Sequence, residues 1–276
     1  FGATFFVFSD YCRPAIRLAA LMGLPSIWVF SHDSFYVGED GPTHEPIEQL
    51  TMLRAIPGIT ILRPGDAHET AQAWAYALAS DGPVALLLTR QNLDVYDEET
   101  AKNVDVARGA FVVSDEKDFE LALVATGSEV NLALGAAKIL RQEGVKVRVV
   151  SMPGQKLFLE QDFEYQDKVL PFDCEAIVSI EAGSTYGWHR FVGAGGLAIG
   201  LDHFGKSAPY KVLAEKFGFT PEAVAETILD FFSGDECGCG CEDENCHCED
   251  GDGENCHCAD GDECRCGDHD CHCHKN

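Results

Sequence analysis

The sequence predicts an α/β fold: two three-layer α/β domains with mostly parallel sheets, followed by a Cys-rich tail that is disordered or ordered by metal. Three observations lead there. Short apolar runs of strand character alternate with longer segments of helical period through residues 1–232. A polar stretch without apolar periodicity, Gln91 to about Arg108, divides that alternation into two series. Beyond Phe232, cysteine apart, no apolar side chain larger than the methyl group of Ala259 remains, so residues 234–276 cannot bury a core. The expected divisions are 1–90, a linker at 91–108, a second domain at 109–233 and the tail at 234–276.

Phe1 to about Gly23 reads as a helix, with apolar residues three and four apart at Ile16, Ala19 and Met22, and Pro14 kinking it or marking its first turn. Ser26–Phe30 is a short strand-like run, and the polar loop after it sits where ligands gather in open α/β sheets. Residues 45–56 read as a helix with Pro46 near its first turn, and 59–63 as a strand. Residues 66–80 read as a helix with Asp66 as N-cap and Glu69 three residues on, and 83–90 as a strand. The second series runs through strand 119–127, helix 128–144, strands 145–152, 175–183 and 196–202, and a terminal helix Pro221–Phe232. Strand alternating with helix implies parallel sheets covered on both faces.

Composition narrows the classes of function. The formal charge is −26, and residues 234–276 carry fourteen acidic against two basic side chains. Such a field repels nucleic acid and anionic membrane, so neither is an expected partner. No apolar run approaches membrane-spanning length, which predicts a soluble protein. Only Cys12 and Cys174 lie outside the tail, which fits a reducing, cytoplasmic compartment.

Residues 31–46, SHDSFYVGEDGPTHEP, concentrate the site chemistry: two histidines and four acidic residues among glycine turns, between two apolar runs. His32 and His44, with Asp40 between them, can converge on a polyhydroxylated substrate and titrate near neutral pH. The plainer alternatives are a His32 held by its neighbour Asp33, and an Asp40 that caps the helix entered at Pro46. Arg90 ends an apolar strand and offers a forked, permanently charged donor suited to phosphate. Phe5, Phe8 and Tyr11 recur three apart, and spacing alone reads them as a core stripe.

The tail is a degenerate repeat of Cys-x-Cys units in acidic spacers: Cys237, Cys239 and Cys241; Cys246, His247 and Cys248; Cys256, His257 and Cys258; Cys264 and Cys266; Cys271, His272 and Cys273. It contains no Cys-x-x-Cys, which argues against a zinc ribbon or finger. Thiolate density favours soft cations, Zn²⁺ or Cu⁺; an oxidised or merely solvated extension is the alternative.

The loop sequence HDS followed by GEDGPTH resembles the transketolase family. TFFVFSDYCRPAIRLAALM, TRQNL, ATGSEV, RVVSMP, EAG and FGKSAP followed by FGFT are similar to further segments of that family, in its order, so that the resemblance covers residues 1–232. It implies the second part of a pyrimidine-binding domain followed by a C-terminal domain, and a thiamine-diphosphate enzyme of the pentose phosphate pathway that moves a two-carbon ketol unit between sugar phosphates. By the same resemblance Phe8, with Phe5 and Tyr11, takes the aminopyrimidine ring, and His32 and Arg90 bind the sugar phosphate. Asp40 contacts the donor's C2 hydroxyl, and His44 assists proton movement. Phe35 and Tyr36 are bulkier than that loop usually carries, which leaves open its packing and substrate preference. The cofactor's diphosphate, its Mg²⁺ (or Ca²⁺) and a proton-donating Glu belong to an N-terminal part of the family's protein. The chain therefore reads as a fragment of a homodimeric enzyme, inactive alone. The competing readings are a catalytically silent scaffold with a metallothionein-like tail and, more weakly, one subunit of a split enzyme.

Overall fold

The computed structural model describes residues 1–174 and 176–233, with the backbone of 246–248 and 256–258. The chain opens with a strand, β1 (Gly2–Phe5), a single 3-10 turn at Phe6–Phe8, and helix α1 (Ser9–Met22). The single helix expected over 1–23 is thus corrected. Residues 2–5 lie alongside β2 (Ile27–Ser31) in parallel register, Gly2 opposite Trp28 and Phe5 opposite Ser31. An aromatic run without long polar gaps suits either period, and the open sheet edge decides for strand. Pro14 lies inside α1 rather than in its first turn. The helix stops at Gly23, left-handed at φ +62°, where Leu24 N–H donates to Ala19 O and Gly23 N–H to Ala20 O, the paired bonds of a Schellman cap.

After the loop come α2 (Gln49–Arg54), β3 (Thr60–Leu62), α3 (Ala67–Ala79) and β4 (Val84–Leu88). The helix expected from residue 45 begins only at Gln49, because residues 46–48 turn back and the Gln49 side chain accepts the Ile47 amide at 2.9 Å. Asp66 caps α3 as read, accepting the Glu69 amide at 2.8 Å, while the Glu69 carboxylate takes the Gly65 amide at 2.7 Å. The four strands form one parallel sheet in the order β1-β2-β4-β3, over a core of Phe6, Ile16, Phe30, Leu50, Leu53 and Leu87.

The polar stretch 91–108 is not featureless: it holds α4 (Glu98–Ala101), capped by Asp97, and a 3-10 turn at Val106–Arg108. A five-stranded sheet follows, built from β5 (Phe111–Ser114), β6 (Leu121–Ala125), β7 (Val147–Ser151), β8 (Ala176–Ile180) and β9 (Leu197–Ile199). Its order is β5-β7-β6-β8-β9, all parallel except β5, which runs antiparallel on the edge. Helices α5 (Glu129–Gln142), α6 (Gln155–Leu159), α7 (Phe163–Val169), α8 (His189–Val192), α9 (Tyr210–Lys216) and α10 (Pro221–Phe232) complete this half. Its core gathers Ala122, Val124, Val150, Met152 and Trp188. The α/β class with mostly parallel sheets is as the sequence predicted.

Residues 1–228 make one compact unit and 229–276 another. In the second unit Cys246–Cys248 (β10) pairs antiparallel with Cys256–Cys258 (β11). The other expected tail ligands, Cys237, Cys239, Cys241, Cys264, Cys266, Cys271, His272 and Cys273, lie outside the described residues. Among those described, no helix is long and apolar enough to cross a membrane.

Candidate active site

β2 ends at Ser31, and the next residue, His32, sits in the left-handed region at φ +59°. This conformation is uncommon for any residue with a β-carbon. It turns the chain out of the sheet so that the imidazole stacks on Phe5, ring centroids 3.8 Å apart and planes 23° apart. Phe5 in turn lies parallel to Phe8 at 6.3 Å. Phe8 then meets Tyr11 at 6.1 Å and the edge of His44 at 5.5 Å. Five residues singled out in the sequence therefore form one continuous run of rings at the carboxyl ends of β1 and β2. Tyr11, at 83% exposed, is its open end.

Asp40 and Arg90 complete the group electrostatically. Burial, and next the Arg90 guanidinium, hold the His32 pKa below its ordinary value, while Asp40 and Asp33 pull the other way. The imidazole is therefore neutral at pH 7, with Nδ1 3.0 Å from Ser31 Oγ. The Nδ1 of His44 lies 3.0 Å from Thr43 Oγ1. Neither plainer reading describes the structure. The Asp33 carboxylate pairs with Arg63 at 2.7 Å instead of with His32, and no side chain caps α2.

Loop 31–46 is held from behind by residues 203–210. Ser207 Oγ donates to Glu39 O, and β-carbons placed on Gly41 or Gly38 would press on Ser207 or Tyr210. The bulky pair Phe35 and Tyr36 explains itself here. Phe35 is buried among Tyr36, Phe217 and Phe219, with centroids 4.2, 5.3 and 5.1 Å away. Burial pushes the Tyr36 phenol well above its ordinary range.

Sequence reasoning missed the charged network beneath the loop. Arg63, fully buried at the end of β3, donates to Asp33, to Thr126 O and Oγ1 at 2.9 Å, and to Glu129. Arg54 makes a bidentate pair with Glu181, both bonds 2.7 Å, and Glu181 also accepts from Thr126 Oγ1 and Trp188 Nε1. Burial pushes the Glu129 carboxyl up and Arg63 only partly restores it. For Glu181 burial acts in the same sense, but Arg54 and Arg63 outweigh it and its pKa falls. Arg63 and Glu181 each follow an apolar strand, where unpaired charge is too costly to bury, whereas Arg54 and Glu129 lie at helix ends and carry no such signal.

Among the described residues no three His, Cys, Asp or Glu side chains converge as a metal site. Cys12 and Cys174 are free thiols.

The family model described as transketolase, pyrimidine binding domain, matches residues 1–95, and that described as transketolase-like C-terminal domain matches residues 109–220. A transketolase of Staphylococcus epidermidis is 50% identical over 232 residues, which is 83% of this chain and 35% of the relative. One from Halalkalibacterium halodurans is 52% identical over 227 residues, 81% of this chain and 34% of the relative. Among solved structures, transketolase from Leishmania mexicana superposes with a TM-score of 0.78 at 44% identity, over 83% of this chain and 33% of that one. The chain thus spans about a third of the length of the curated relatives it matches.

Proposed function

The chain belongs to the transketolase family, and from that premise we propose that residues 1–220 form one wall of a site that moves a two-carbon ketol unit from a ketose phosphate to an aldose phosphate in the pentose phosphate pathway. The observation that carries this reading is the ring run His32, Phe5, Phe8 and His44, with Asp40 and Arg90 bearing on its end. Thiamine diphosphate fits it. The face of Phe5 is already covered by His32, whereas Phe8 and the exposed Tyr11 leave ring surface for a flat aminopyrimidine. Once bound, the cofactor supplies the carbon nucleophile and electron sink of the transfer.

The chain's own side chains orient the substrate and handle protons. Arg90 offers a fork to the sugar phosphate, and the neutral His32 can donate or accept one hydrogen bond beside it without adding a second charge. Asp40 accepts from a substrate hydroxyl and thereby selects its configuration. His44, edge-on to Phe8, moves a proton between substrate oxygens. We place the diphosphate, its Mg²⁺ or Ca²⁺ and the remaining sugar contacts on parts of a longer, homodimeric, cytoplasmic protein. Residues 1–276 alone then show no ketol transfer with thiamine diphosphate, Mg²⁺ and sugar phosphates, and turnover by them would refute that division of labour. In the complete enzyme, replacing His32, His44 and Arg90 together by alanine lowers kcat/KM by about 10²-fold or more. Unchanged turnover would defeat the reading.

A second activity is favoured by eleven cysteines in 234–276 against two elsewhere: sequestration of Zn²⁺ or Cu⁺ by the tail, which the silent-scaffold alternative would leave as the chain's only role. Protein purified under reducing conditions keeps bound metal as 1–276 and loses it as 1–233. Equal metal content in the two would remove this proposal.

A further inference from the structure

Glu45 follows His44 directly, is 2% exposed, and neither of its carboxyl oxygens has a hydrogen-bond partner. A buried carboxyl left so poorly satisfied calls for an explanation. Its surroundings supply one. A β-carbon built on Gly205 would stand 1.5 Å from Glu45 Oε2, so the carboxyl fills the space that a side chain at 205 would occupy. The amides of Lys206 and Gly38 lie near enough to favour its ionised form, although burial wins and pushes the group up to about 7. Gly38 belongs to the loop that carries Asp40 and His44, and Gly205 and Lys206 belong to the segment behind it. The same two stretches meet where Ser207 Oγ donates to Glu39 O and where Gly41 abuts Ser207. The carboxyl therefore sits in the seam between them, one residue from His44.

We propose that Glu45 is a positioning residue, a polar clamp that seats residues 38–46 against residues 203–210 and so fixes His44 and Asp40 relative to Phe8 and His32. A purely space-filling role would be met as well by an apolar side chain. A carboxyl or carboxamide is needed only if polar contact with both backbones matters. The clamp itself is a statement about this chain; only its kinetic consequence rests on the transferase reading.

Three variants separate the possibilities. Glu45→Ala empties the seam, Glu45→Gln keeps shape and an acceptor oxygen toward the two backbones without charge, and Gly205→Ala pushes the carboxyl aside while leaving residue 45 intact. On residues 1–276, hydrogen exchange of the amides at 38–46 speeds up about tenfold or more in Glu45→Ala and Gly205→Ala, with β6 to β8 unchanged, and stays near the parent rate in Glu45→Gln. In the complete enzyme the first two lower kcat/KM about tenfold or more, and Glu45→Gln recovers most of the loss. Parent-like exchange at 38–46 in both disruptive variants overturns the clamp. So does faster exchange spread evenly over the whole chain. A loosened loop with kcat/KM intact overturns the positioning role. A parent enzyme with no ketol transfer at all would instead refute the transferase reading, and exchange alone then decides the clamp.

Discussion

His32 concentrates the physics of the site in one side chain. Its left-handed backbone throws the ring onto Phe5, and burial together with Arg90 disfavours the imidazolium while Asp40 favours it. The signs make a testable set. The His32 ring protons should titrate below the ordinary histidine range in an NMR pH series. Arg90→Ala should raise that midpoint and Asp40→Asn should lower it, because each removes one of the opposing fields. The Arg90 change alone should not restore the free value, since burial is the larger cause. Should neither substitution move the midpoint, the three groups are not neighbours and the site loses its charged end. The histidines and Asp40 stood out because a glycine-bracketed loop after a strand has little structural use for them, and Arg90 because it closes an apolar strand. Arg63, Glu129 and Glu181 were not, because one charge per apolar segment looks like a solvated terminus until the partner segments are folded together.

At the scale of the element, local chemistry fixed a boundary wherever a capping side chain stands beside it, and left it open where only apolar periodicity could speak. Asp66 shows the rule holding: its carboxylate accepts the Glu69 amide and, through the other oxygen, the Tyr96 amide at 3.1 Å. Asp66→Ala orphans two buried donors at once and should cost roughly 2–3 kcal/mol, above the usual loss of a cap. Urea unfolding of residues 1–276 measures it, and a change below about 0.5 kcal/mol would mean that solvent reaches those amides in the folded chain. β1 shows the rule failing. Residues 5–8 are apolar on consecutive positions, so periodicity cannot separate strand from helix, and only the free edge of β2 settles the matter. α6 and α7 escaped notice for a different reason. They are five and seven residues long, too short for a 3.6-residue period to repeat enough to be read.

The whole molecule is where the buried charges matter most. Each sheet has its own apolar core, yet residues 1–228 behave as one compact unit. Beside the aromatic contact of Phe35 with Phe217 and Phe219, a buried polar seam joins the halves. Arg63 and Arg54 come from the first series of elements, and Glu129, Thr126 and Glu181 come from the second. Glu69 adds a further link, held by Tyr96 and Ser151 at 2.7 Å each and pushed up to about 7 by burial. The sign of that last shift is definite. A carboxyl that binds its proton more tightly when folded stabilises most below its unfolded pKa, and the contribution is lost as pH rises through the window up to about 7. The seam should therefore weaken toward neutral pH at Glu69 while its arginine pairs persist. Arg63→Met tests the stronger part of it. The substitution leaves Asp33 and Glu129 buried without their cation, for which about 3–5 kcal/mol is expected. The loss should appear in calorimetry as one cooperative transition splitting into two, each half then unfolding on its own core. If Arg63→Met instead lowers stability by less than about 1 kcal/mol and keeps a single transition, apolar contact holds the halves together and the charges only set their register.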